Sequence, residues 1–393
     1  MKNEFDILIV DDNPKNLQVL GNILRHYNYK VEFALDGQNA IKWANRKKFD
    51  LILLDIMMPG MSGFDVCKTI KNSNGSSDIP IIFITAKTDV ESIVKGFKCG
   101  AIDYISKPFN AEELNARIAT QVSLRNRQNK IQKYSNTLKE QLLVINESLD
   151  YAKKIQRVML PVNDDLKRLL PKHFIIHLPR DIVSGDFYWM KEFKDSLFIG
   201  VGDCTGHGIP GAMLSMLCIS LLNEIVLSDN IRPSDILECL RTKLKNNLHQ
   251  MSGNDKEFKD GLDIALCKYN LKTKLLEYSG AFRPLIVIKN SELIEIKGNR
   301  QPVGIFEYET EFTHHSVQLQ KKDLIYLFTD GFNDQFGGKY CKKLKYGNFK
   351  RLLADYSKFN INEQNILLKD HFYNWKGNEQ QTDDVLVIGI EID

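Results

Sequence analysis

Three aspartates near the N-terminus lie where short apolar runs end. Asp11 and Asp12 follow the run DILIV, and Asp55 closes the run LILLD. Thr85 and Lys107 end later apolar runs in the same way. Carboxylates gathered at one place repel one another unless a hard cation neutralises them, and oxygen ligands suit magnesium. Because a carboxylate beside that ion can accept a phosphoryl group, the pattern predicts a phosphoryl-transfer site.

A second set of aspartates lies in the C-terminal half, where strand candidates end or turns begin. The motifs are SGDFYW with Asp186, VGDCTGHG with Asp203, LFTDGF with Asp330, and QTDDVLVIG with Asp383 and Asp384. Carboxylates without histidine or cysteine partners suit hard divalent cations, and two such ions can hold a hydroxide for attack on a phosphoryl group. Taken one at a time, each aspartate is also an ordinary cap or turn residue. As an ordered set they predict phosphoester hydrolysis.

The elements that must position the first set are short strands alternating with stretches of helical spacing. Strands are predicted at Asp6–Val10, Val31–Ala34, Leu51–Leu54, Ile79–Ile84 and Ala101–Ile105. This alternation predicts an α/β fold with a doubly wound, five-stranded parallel sheet. In that architecture the ligand crevice lies at the carboxyl ends of the strands, where the polar residues are found. The alternative for Asp12 and Asn13 is to cap a helix that has Pro14 in its first turn.

The N-terminal motifs resemble the receiver domains of two-component signalling. VDD, LILLDIMMPGMSGFD, ITA and DYISKPF carry the resemblance, which extends from residue 5 to about residue 120 and predicts a receiver domain over residues 1–122. It implies that Asp55 is the phosphoacceptor. It also implies that Asp11 and Asp12 hold Mg²⁺ together with Asp55, and that the carbonyl oxygen of Met57 completes the protein ligands.

The same resemblance implies roles for three residues around the phosphoryl group. Thr85 and Lys107 are expected to contact the phosphoryl oxygens, and the peptide bond between Lys107 and Pro108 is expected to be cis. Tyr104 is the expected switch residue, an aromatic side chain that reorients on activation. The expected phosphodonor is a histidine kinase or a phosphotransfer protein.

Residues 123–160 form a predicted helical linker without glycine or proline between Leu124 and Met159. Its apolar residues recur at alternating steps of three and four if polar residues occupy some of the positions: Leu124, Gln128, Ile131, Ser135, Leu138, Leu142, Ile145, Leu149, Ala152, Gln156 and Met159. That spacing predicts a coiled-coil seam, and its polar interruptions favour a weak parallel homodimer. The alternative is a lone helix docked on its own domain.

Beyond Pro161, strand candidates rich in Phe, Tyr, Ile and Val are grouped beside helical stretches at about 210–227 and 234–248. This grouping predicts a layered α+β domain over residues 161–393. In order, IQRVMLP, DIVSGDFYW, GDCTGHGIPGAMLSML, QPVGIF, FTDGFNDQFGG and QTDDVLVIGI resemble the SpoIIE-like branch of the type 2C metal-dependent serine/threonine protein phosphatases.

The second resemblance implies a site with two Mn²⁺ or Mg²⁺ ions, bridged by Asp203. The carbonyl oxygen of Cys204 would ligate one ion, and the set would be completed, directly or through water, by Asp186, Asp330 and Asp383. We prefer Asp383 to the adjacent Asp384. In the better-known eukaryotic members a histidine two residues after the bridging aspartate can serve as an acid, whereas His207 lies four residues after it. The role of His207 is therefore open.

The resemblance also brings an expectation that the sequence does not meet. The family's upstream phosphate-binding arginine has no match here. Arg180 and Arg283 are candidates, although either is more often a surface charge. The glycine-rich GDCTGHG is a weak nucleotide-loop signal, since no Gly-Lys-Ser/Thr follows it.

Composition limits the classes of partner. Lys plus Arg is 53 and Asp plus Glu is 50 among 393 residues, so the charge balance gives no footprint for nucleic acid. The seven cysteines are scattered and odd in number, which argues against a disulfide framework. We find no signal-peptide layout and no apolar run of the ~20 residues that a membrane span needs. We expect a cytoplasmic protein that binds neither nucleic acid nor membrane.

These inferences combine into one functional hypothesis. Phosphorylation of Asp55 is expected to control a metal-dependent serine/threonine phosphatase, and the resemblance points to a phosphorylated anti-sigma-factor antagonist as substrate. The alternative is a pseudophosphatase that sequesters its partner without hydrolysis. A DNA-binding regulator fits the receiver but not the second domain.

Overall fold

The computed structural model describes residues 5–86, 90–228, 230–248 and 260–393. The chain divides into two compact units, Met1–Leu142 and Leu143–Asp393. One helix, Ala111–Met159, contains the boundary between them. It starts before the predicted linker because no glycine or proline interrupts the sequence from residue 111 to residue 159.

The first unit is built on one parallel sheet. Its strands are β1 (Asp6–Val10), β2 (Lys30–Ala34), β3 (Leu51–Asp55), β4 (Ile81–Thr85) and β5 (Asp103–Ser106). Its helices are α1 (Pro14–His26), α2 (Gly37–Arg46), α3 (Gly63–Lys71), α4 (Val90–Lys98) and the start of α5 (Ala111–Met159). The strand order β2-β1-β3-β4-β5 confirms the predicted doubly wound sheet, with bounds shifted by one or two residues.

Local sequence explains how the first unit places its polar residues. Strands β3 and β4 are buried throughout, as expected for strands covered by helices on both faces. The side chain of Asn13 accepts the Lys15 backbone N–H and Pro14 lies in the first turn of α1, so the helix-cap alternative is realised by Asn13. Asp12 is not the cap residue, and its carboxylate lies near those of Asp11 and Asp55.

The second unit contains mostly antiparallel strands. Its first elements are α6 (Asn163–Leu169), β6 (His173–Leu178), β7 (Asp186–Phe193), β8 (Ser196–Cys204), α7 (Gly208–Ile225), α8 (Pro233–Asn247), β9 (Gly261–Asn270) and β10 (Leu275–Ala281). The strands β11 (Leu285–Lys289), β12 (Glu292–Ile296), β13 (Val303–Gly304), β14 (His315–Gln318) and β15 (Leu324–Phe328) follow. The last elements are α9 (Gly331–Asp334), β16 (Phe336–Gly337), β17 (Lys342–Lys343), α10 (Tyr346–Tyr356), α11 (Ile361–Lys376) and β18 (Val385–Glu391).

Two sheets form the middle layers of this unit. One has the order β14-β10-β9-β8-β7, with β13 paired to β9, and the other has the order β12-β11-β15-β18-β6. Buried side chains from both sheets, among them Val201, Ala265, Leu327 and Ile388, pack into one cluster between them. Full burial of a valine, leucine or isoleucine side chain contributes about 1.5–3 kcal/mol. The two sheets therefore pack face to face around a shared apolar core.

Helices cover the outer faces of the two sheets. Residues of α7 and α8, such as Leu222 and Leu237, pack on Trp189 and Phe198 of the first sheet. Residues of α10 and α11 pack in the same way on the second sheet. This arrangement confirms the predicted layered α+β architecture.

Helix α7 is apolar on nearly every side. By length and composition alone it would be able to cross a membrane, yet half of it is buried inside the fold. Its buried residues, including Leu214, Cys218 and Leu222, pack against the first sheet. These contacts are those of the core helix of a globular domain, as the sequence predicted.

Candidate functional site

The first acidic cluster lies at the carboxyl ends of β1 and β3. Asp11 and Asp55 are buried and Asp12 is exposed, yet one carboxylate oxygen of each lies within 4.8 Å of the others. Asn16 Nδ2 donates to both oxygens of Asp11, at 2.9 and 3.0 Å. Lys107 Nζ lies 2.8 Å from Asp11 Oδ2 and 3.1 Å from Asp55 Oδ2. The sequence-predicted aspartates and lysine are therefore brought together.

The charges of this cluster suit a divalent cation. Burial raises the pKa of Asp55, while the hydrogen bond from Lys107 acts in the opposite direction and the charge of Asp11 adds to the increase. One ammonium cannot neutralise three carboxylates, and all the donor atoms are hard oxygens. This donor set fits Mg²⁺, which takes carboxylate oxygens and keeps positions open for water and phosphate.

The remaining receiver residues surround the cluster. Thr85 is buried at the end of β4, and Met57 is exposed in the loop after β3. The peptide bond between Lys107 and Pro108 is cis. Tyr104 is half-buried on β5, with its ring 6.5 Å from that of Phe97 in an edge-on contact. These positions are compatible with the roles that the receiver resemblance implies.

The second acidic cluster is created by strand register. Asp186 on β7 is paired with Asp203 on β8, and Asp203 is paired with Asp263 on β9. Residues directly opposite one another in antiparallel strands point to the same face of the sheet. Three aspartates thus form one row across three neighbouring strands. Asp330, which follows β15, also lies near this row. Its Oδ2 contacts the same cationic side chain as Asp203 and Asp263.

That shared partner is Arg283, in the loop between β10 and β11. Its Nη2 lies 2.6 Å from Asp203 Oδ2, 2.8 Å from Asp330 Oδ2 and 3.1 Å from Asp263 Oδ2. Of the two arginine candidates, Arg283 therefore reaches the acidic cluster. Arg180 instead donates from Nη1 to the Thr382 carbonyl oxygen at 3.0 Å.

The two adjacent aspartates before β18 have different surroundings. Asp384 is buried, and its Oδ1 and Oδ2 accept the backbone N–H groups of Arg180 and Gly185, both at 2.7 Å. Asp383 instead lines a cavity of about 210 Å³ together with Asp203, Cys204, Thr205, Gly206, His207 and Asp263. Both carboxylate oxygens of Asp384 therefore already accept backbone hydrogen bonds, whereas Asp383 lines the cavity.

His207 also lines this cavity. Its Nδ1 lies 2.9 Å from Asp181 Oδ2. The loop around it needs glycine: Gly206 has φ +87°, and a Cβ on Gly211 would lie 2.2 Å from the carbonyl oxygen of Gly206. The GDCTGHG segment can therefore lie directly against α7.

The second cluster gathers several buried carboxylates around one guanidinium. Burial raises the pKa of Asp203 to about 8 and that of Asp263 to about 6, although Arg283 acts in the opposite direction on both. Burial also raises the pKa of Asp186 well above its usual range, while the hydroxyl of Thr329, which donates to Asp186 Oδ2 at 2.6 Å, acts to lower it. One guanidinium cannot neutralise all these carboxylates. An oxygen-only donor set of this charge fits Mn²⁺ or Mg²⁺.

Sequence reasoning missed Asp263. Its signal was an acidic residue inside the otherwise apolar run GLDIALC, most of which is buried in β9. A charged residue in such a strand is rare unless it is paired or binds a cation.

The position of Gln156 corrects the predicted coiled-coil seam. Gln156 is only 6% exposed, and its Nε2 donates to the Ser215 hydroxyl on α7 at 3.0 Å. Met159 likewise packs against the core cluster of the second unit. The last turn of α5 is therefore used within this unit, because its polar and apolar side chains find partners there. Earlier seam residues, such as Ile131 at 68% and Leu138 at 57% exposure, remain accessible.

Comparisons with known proteins agree with both predicted domains. A family model for the response regulator receiver domain matches residues 7–119, and a model for stage II sporulation protein E (SpoIIE) matches residues 194–393. The solved SiaA-PP2C domain of Pseudomonas aeruginosa is 31% identical with a TM-score of 0.58, covering 64% of this chain and 98% of that domain.

Curated relatives match the N-terminal part. The DNA-binding response regulator MtrA of Mycolicibacterium smegmatis is 41% identical over 112 residues, 28% of this chain and 48% of that protein. The transcriptional regulatory protein RprY of Bacteroides fragilis is 41% identical over 143 residues, 35% of this chain and 57% of that protein. The chain thus spans about half the length of the curated relatives it matches.

The fold, the two acidic clusters and these likenesses define a receiver domain joined to a serine/threonine phosphatase domain of the PP2C type. The chain belongs to the SpoIIE family.

Proposed function

We propose that this protein is a response regulator in which phosphorylation of Asp55 controls hydrolysis of phosphoserine or phosphothreonine by the C-terminal domain. The observation that carries the proposal is the row of Asp186, Asp203 and Asp263 across three strands, close to Asp330 and beside a cavity lined by Asp383. Such a cluster in a PP2C-type domain is what retained catalysis requires, whereas a pseudophosphatase has no need to keep it.

In the receiver, we assign the phosphoacceptor role to Asp55 and the Mg²⁺-binding role to Asp11, Asp12, Asp55 and the Met57 carbonyl oxygen. A histidine kinase or phosphotransfer protein would transfer its phosphoryl group to a carboxylate oxygen of Asp55. Lys107, whose Nζ lies 3.1 Å from Asp55, is placed to neutralise charge that arrives with that group.

The buried Thr85 at the end of β4 would bind a phosphoryl oxygen. Tyr104 shares the wall of a small cavity with Thr85, so a shift of Thr85 toward the phosphoryl group leaves space into which the tyrosine ring can turn.

In the phosphatase domain, we assign the two Mn²⁺ or Mg²⁺ ions to Asp203, the Cys204 carbonyl oxygen, Asp186, Asp330 and Asp383. When bound, such ions supply a hydroxide nucleophile and stabilise the charge of the phosphoryl group. The protein fixes the carboxylates in advance through strand register, so that little rearrangement is needed. Asp383 closes one side of the cavity in which the phosphoryl group would lie.

The substrate and the assembly are further parts of the proposal. Membership of the SpoIIE family supports a phosphorylated anti-sigma-factor antagonist as substrate, and a cytoplasmic location follows from that pairing. The exposed seam residues of α5, from Leu124 to Ile145, support a parallel homodimer through the linker. This dimer would transmit the state of Asp55 to the phosphatase domain.

One assay tests the proposal. Phosphate release from candidate phosphorylated antagonists would be measured with Mn²⁺ or Mg²⁺, with and without beryllofluoride as a phosphoryl mimic on the receiver. We expect metal-dependent release whose rate changes with the mimic. Binding of the antagonist without phosphate release would instead identify a pseudophosphatase. A rate of phosphate release that is the same with and without beryllofluoride would contradict the proposed regulation by Asp55.

A further inference from the structure

The guanidinium of Arg283 occupies the place where the carboxylates of the phosphatase cluster converge. Its Nη2 alone accounts for the contacts to Asp203, Asp330 and Asp263, at 2.6 to 3.1 Å. Two of these carboxylates belong to the proposed metal-ligand set. From this we infer that Arg283 is an internal counter-ion of the metal-free domain, and that a divalent cation must displace its guanidinium to bind. The inference rests on the metal set of the proposed function.

The contacts of Arg283 are one-sided. The side chain is only 13% exposed, and its Nε is buried without a hydrogen-bond partner within the described part of the chain. A guanidinium has five N–H donors, and a permanent structural ion pair is expected to satisfy the buried ones. In Arg283, by contrast, the single nitrogen Nη2 contacts three carboxylates and Nε contacts none. This arrangement is the one expected of a positive charge that takes the place of a bound metal ion among the carboxylates.

The backbone that carries Arg283 is fixed, so a displacement would be confined to the side chain. Tyr278 Oη donates to the Arg283 carbonyl oxygen at 2.5 Å, and the Arg283 N–H donates to the Ala281 carbonyl oxygen at 2.6 Å. Phe282 has φ +54°, a left-handed conformation that a residue with a Cβ adopts only when its surroundings impose it.

The side chain also has room to leave the cluster. Arg283 lies on the wall of a second cavity of about 370 Å³, lined by Phe282, Pro284, Lys297, Arg300 and Tyr346 among others. The wall carries the charges of Lys297 and Arg300 and also those of Glu295 and Asp330, so the displaced guanidinium would meet both signs. Displacement still costs free energy because the contacts to Asp203 and Asp263 are lost, and Arg283 thereby lowers the affinity of the cluster for metal.

Calorimetric titration of Mn²⁺ into the full chain tests the competition. The Asp12→Asn and Asp55→Asn changes, placed in every sample, weaken the receiver cluster so that the phosphatase cluster dominates the signal. Arg283→Gln removes the competing charge, and we expect its Kd for Mn²⁺ to fall at least tenfold. Arg283→Lys keeps a positive charge on a shorter side chain, and it should give a smaller decrease in the Kd for Mn²⁺. Arg168→Gln changes an exposed arginine that pairs with Glu192 outside the cluster, and it should leave Kd unchanged.

An unchanged or higher Kd in Arg283→Gln overturns the inference, because the arginine would then not occupy the metal position. If that variant does not fold, the wild-type protein gives the answer through ¹⁵N spectra of its arginine side chains. The metal-free protein should show one guanidinium with hindered rotation, and saturating Mg²⁺ should release it; a signal that stays hindered also overturns the inference. Neither measurement reads hydrolysis, so a failure of the proposed activity is detected separately.

Discussion

Gln156, in the last turn of α5, forms hydrogen bonds with both the backbone N–H and the backbone carbonyl oxygen of Ser184. Its Nε2 donates to the Ser184 carbonyl oxygen at 2.6 Å, and its Oε1 accepts the Ser184 N–H at 3.2 Å. The hydroxyl of Ser184 in turn accepts the backbone N–H of Asp186 at 3.1 Å. The end of the linker helix is thus connected, through Ser184, to the first aspartate of the phosphatase cluster.

Gln156→Leu should separate the linker helix from the phosphatase site. The change removes the partner of the buried Ser184 N–H and leaves the Ser184 carbonyl oxygen only the 3.5 Å contact from the Ser215 hydroxyl. A buried group without a partner costs about 1–3 kcal/mol. A small displacement of Asp186 is enough to reduce kcat by about a hundredfold. Thermal unfolding and phosphate release would be measured beside Gln141→Leu, an exposed glutamine on the same helix. Equal activity of the two variants would contradict a role for this contact.

Asp55→Asn should abolish phosphorylation by a small phosphodonor such as acetyl phosphate. The amide has nearly the volume of the carboxylate but is not a nucleophile. Intact mass measurement gives the phosphorylated fraction directly. Asp36→Asn is the matched control, because Asp36 caps α2 and asparagine caps a helix equally well. Incorporation at the wild-type level in Asp55→Asn would show that another residue accepts the phosphoryl group.

Asp203→Asn and Asp330→Asn should each remove phosphatase activity and leave Asp55 phosphorylation intact. Each change takes one charged ligand from the cluster, and we expect a decrease in kcat of at least about a hundredfold. The control is Asp195→Asn, an exposed aspartate that pairs with Lys272 outside the cluster. Normal hydrolysis by both cluster variants with added Mn²⁺ would mean that the metals bind elsewhere.

Metal uptake by the phosphatase cluster should release protons near neutral pH. Burial raises the pKa of Asp203 to about 8, so the ionised fraction of this carboxyl, the form that pairs with Arg283, increases as the pH rises from 6 to 8. Because metal binds only the carboxylate form, apparent affinity should increase by up to about tenfold per pH unit between pH 6 and 8 and level off above pH 8. Mn²⁺ titrations in buffers of different ionisation enthalpy would count the protons. An affinity independent of pH in this range would contradict the raised pKa.

The two sites differed in how far sequence determined them. The receiver cluster was predictable because Asp11, Asp12 and Asp55 each lie in a short motif at the end of a buried strand. Asp263 joins the second cluster through the register of β8 and β9, a long-range property that no local motif encodes. Only its isolated charge in an apolar strand gave a signal.

Gln156 shows a second limit of sequence reasoning. A spacing of three and four residues places side chains on one face of a helix but does not say what covers that face. The same pattern therefore fits a seam between two chains and a helix packed on its own domain. In α5 the earlier positions are exposed, whereas Gln156 and Met159 pack within the second unit.

The last prediction concerns the exposed part of the seam, which the regulatory proposal needs as a dimer contact. Leu138 and Leu142 are 57% and 50% exposed in the single chain, which is costly for apolar residues unless a partner covers them. Leu138→Asp with Leu142→Asp would place charges in the seam and separate the two chains. Sedimentation should then show monomers, and beryllofluoride should no longer change the rate of phosphate release.

Leu143→Asp is the matched control, since Leu143 is 63% exposed and lies beside the seam but not in it. This variant should remain dimeric and keep its response to beryllofluoride. Metal binding should be unchanged in both variants, because neither alters an acidic cluster. Allosteric control requires an element whose two arrangements are biased by both sites. A double variant that stays dimeric and keeps the full response would exclude the seam as that element, and would favour direct contact between the receiver and the phosphatase domain.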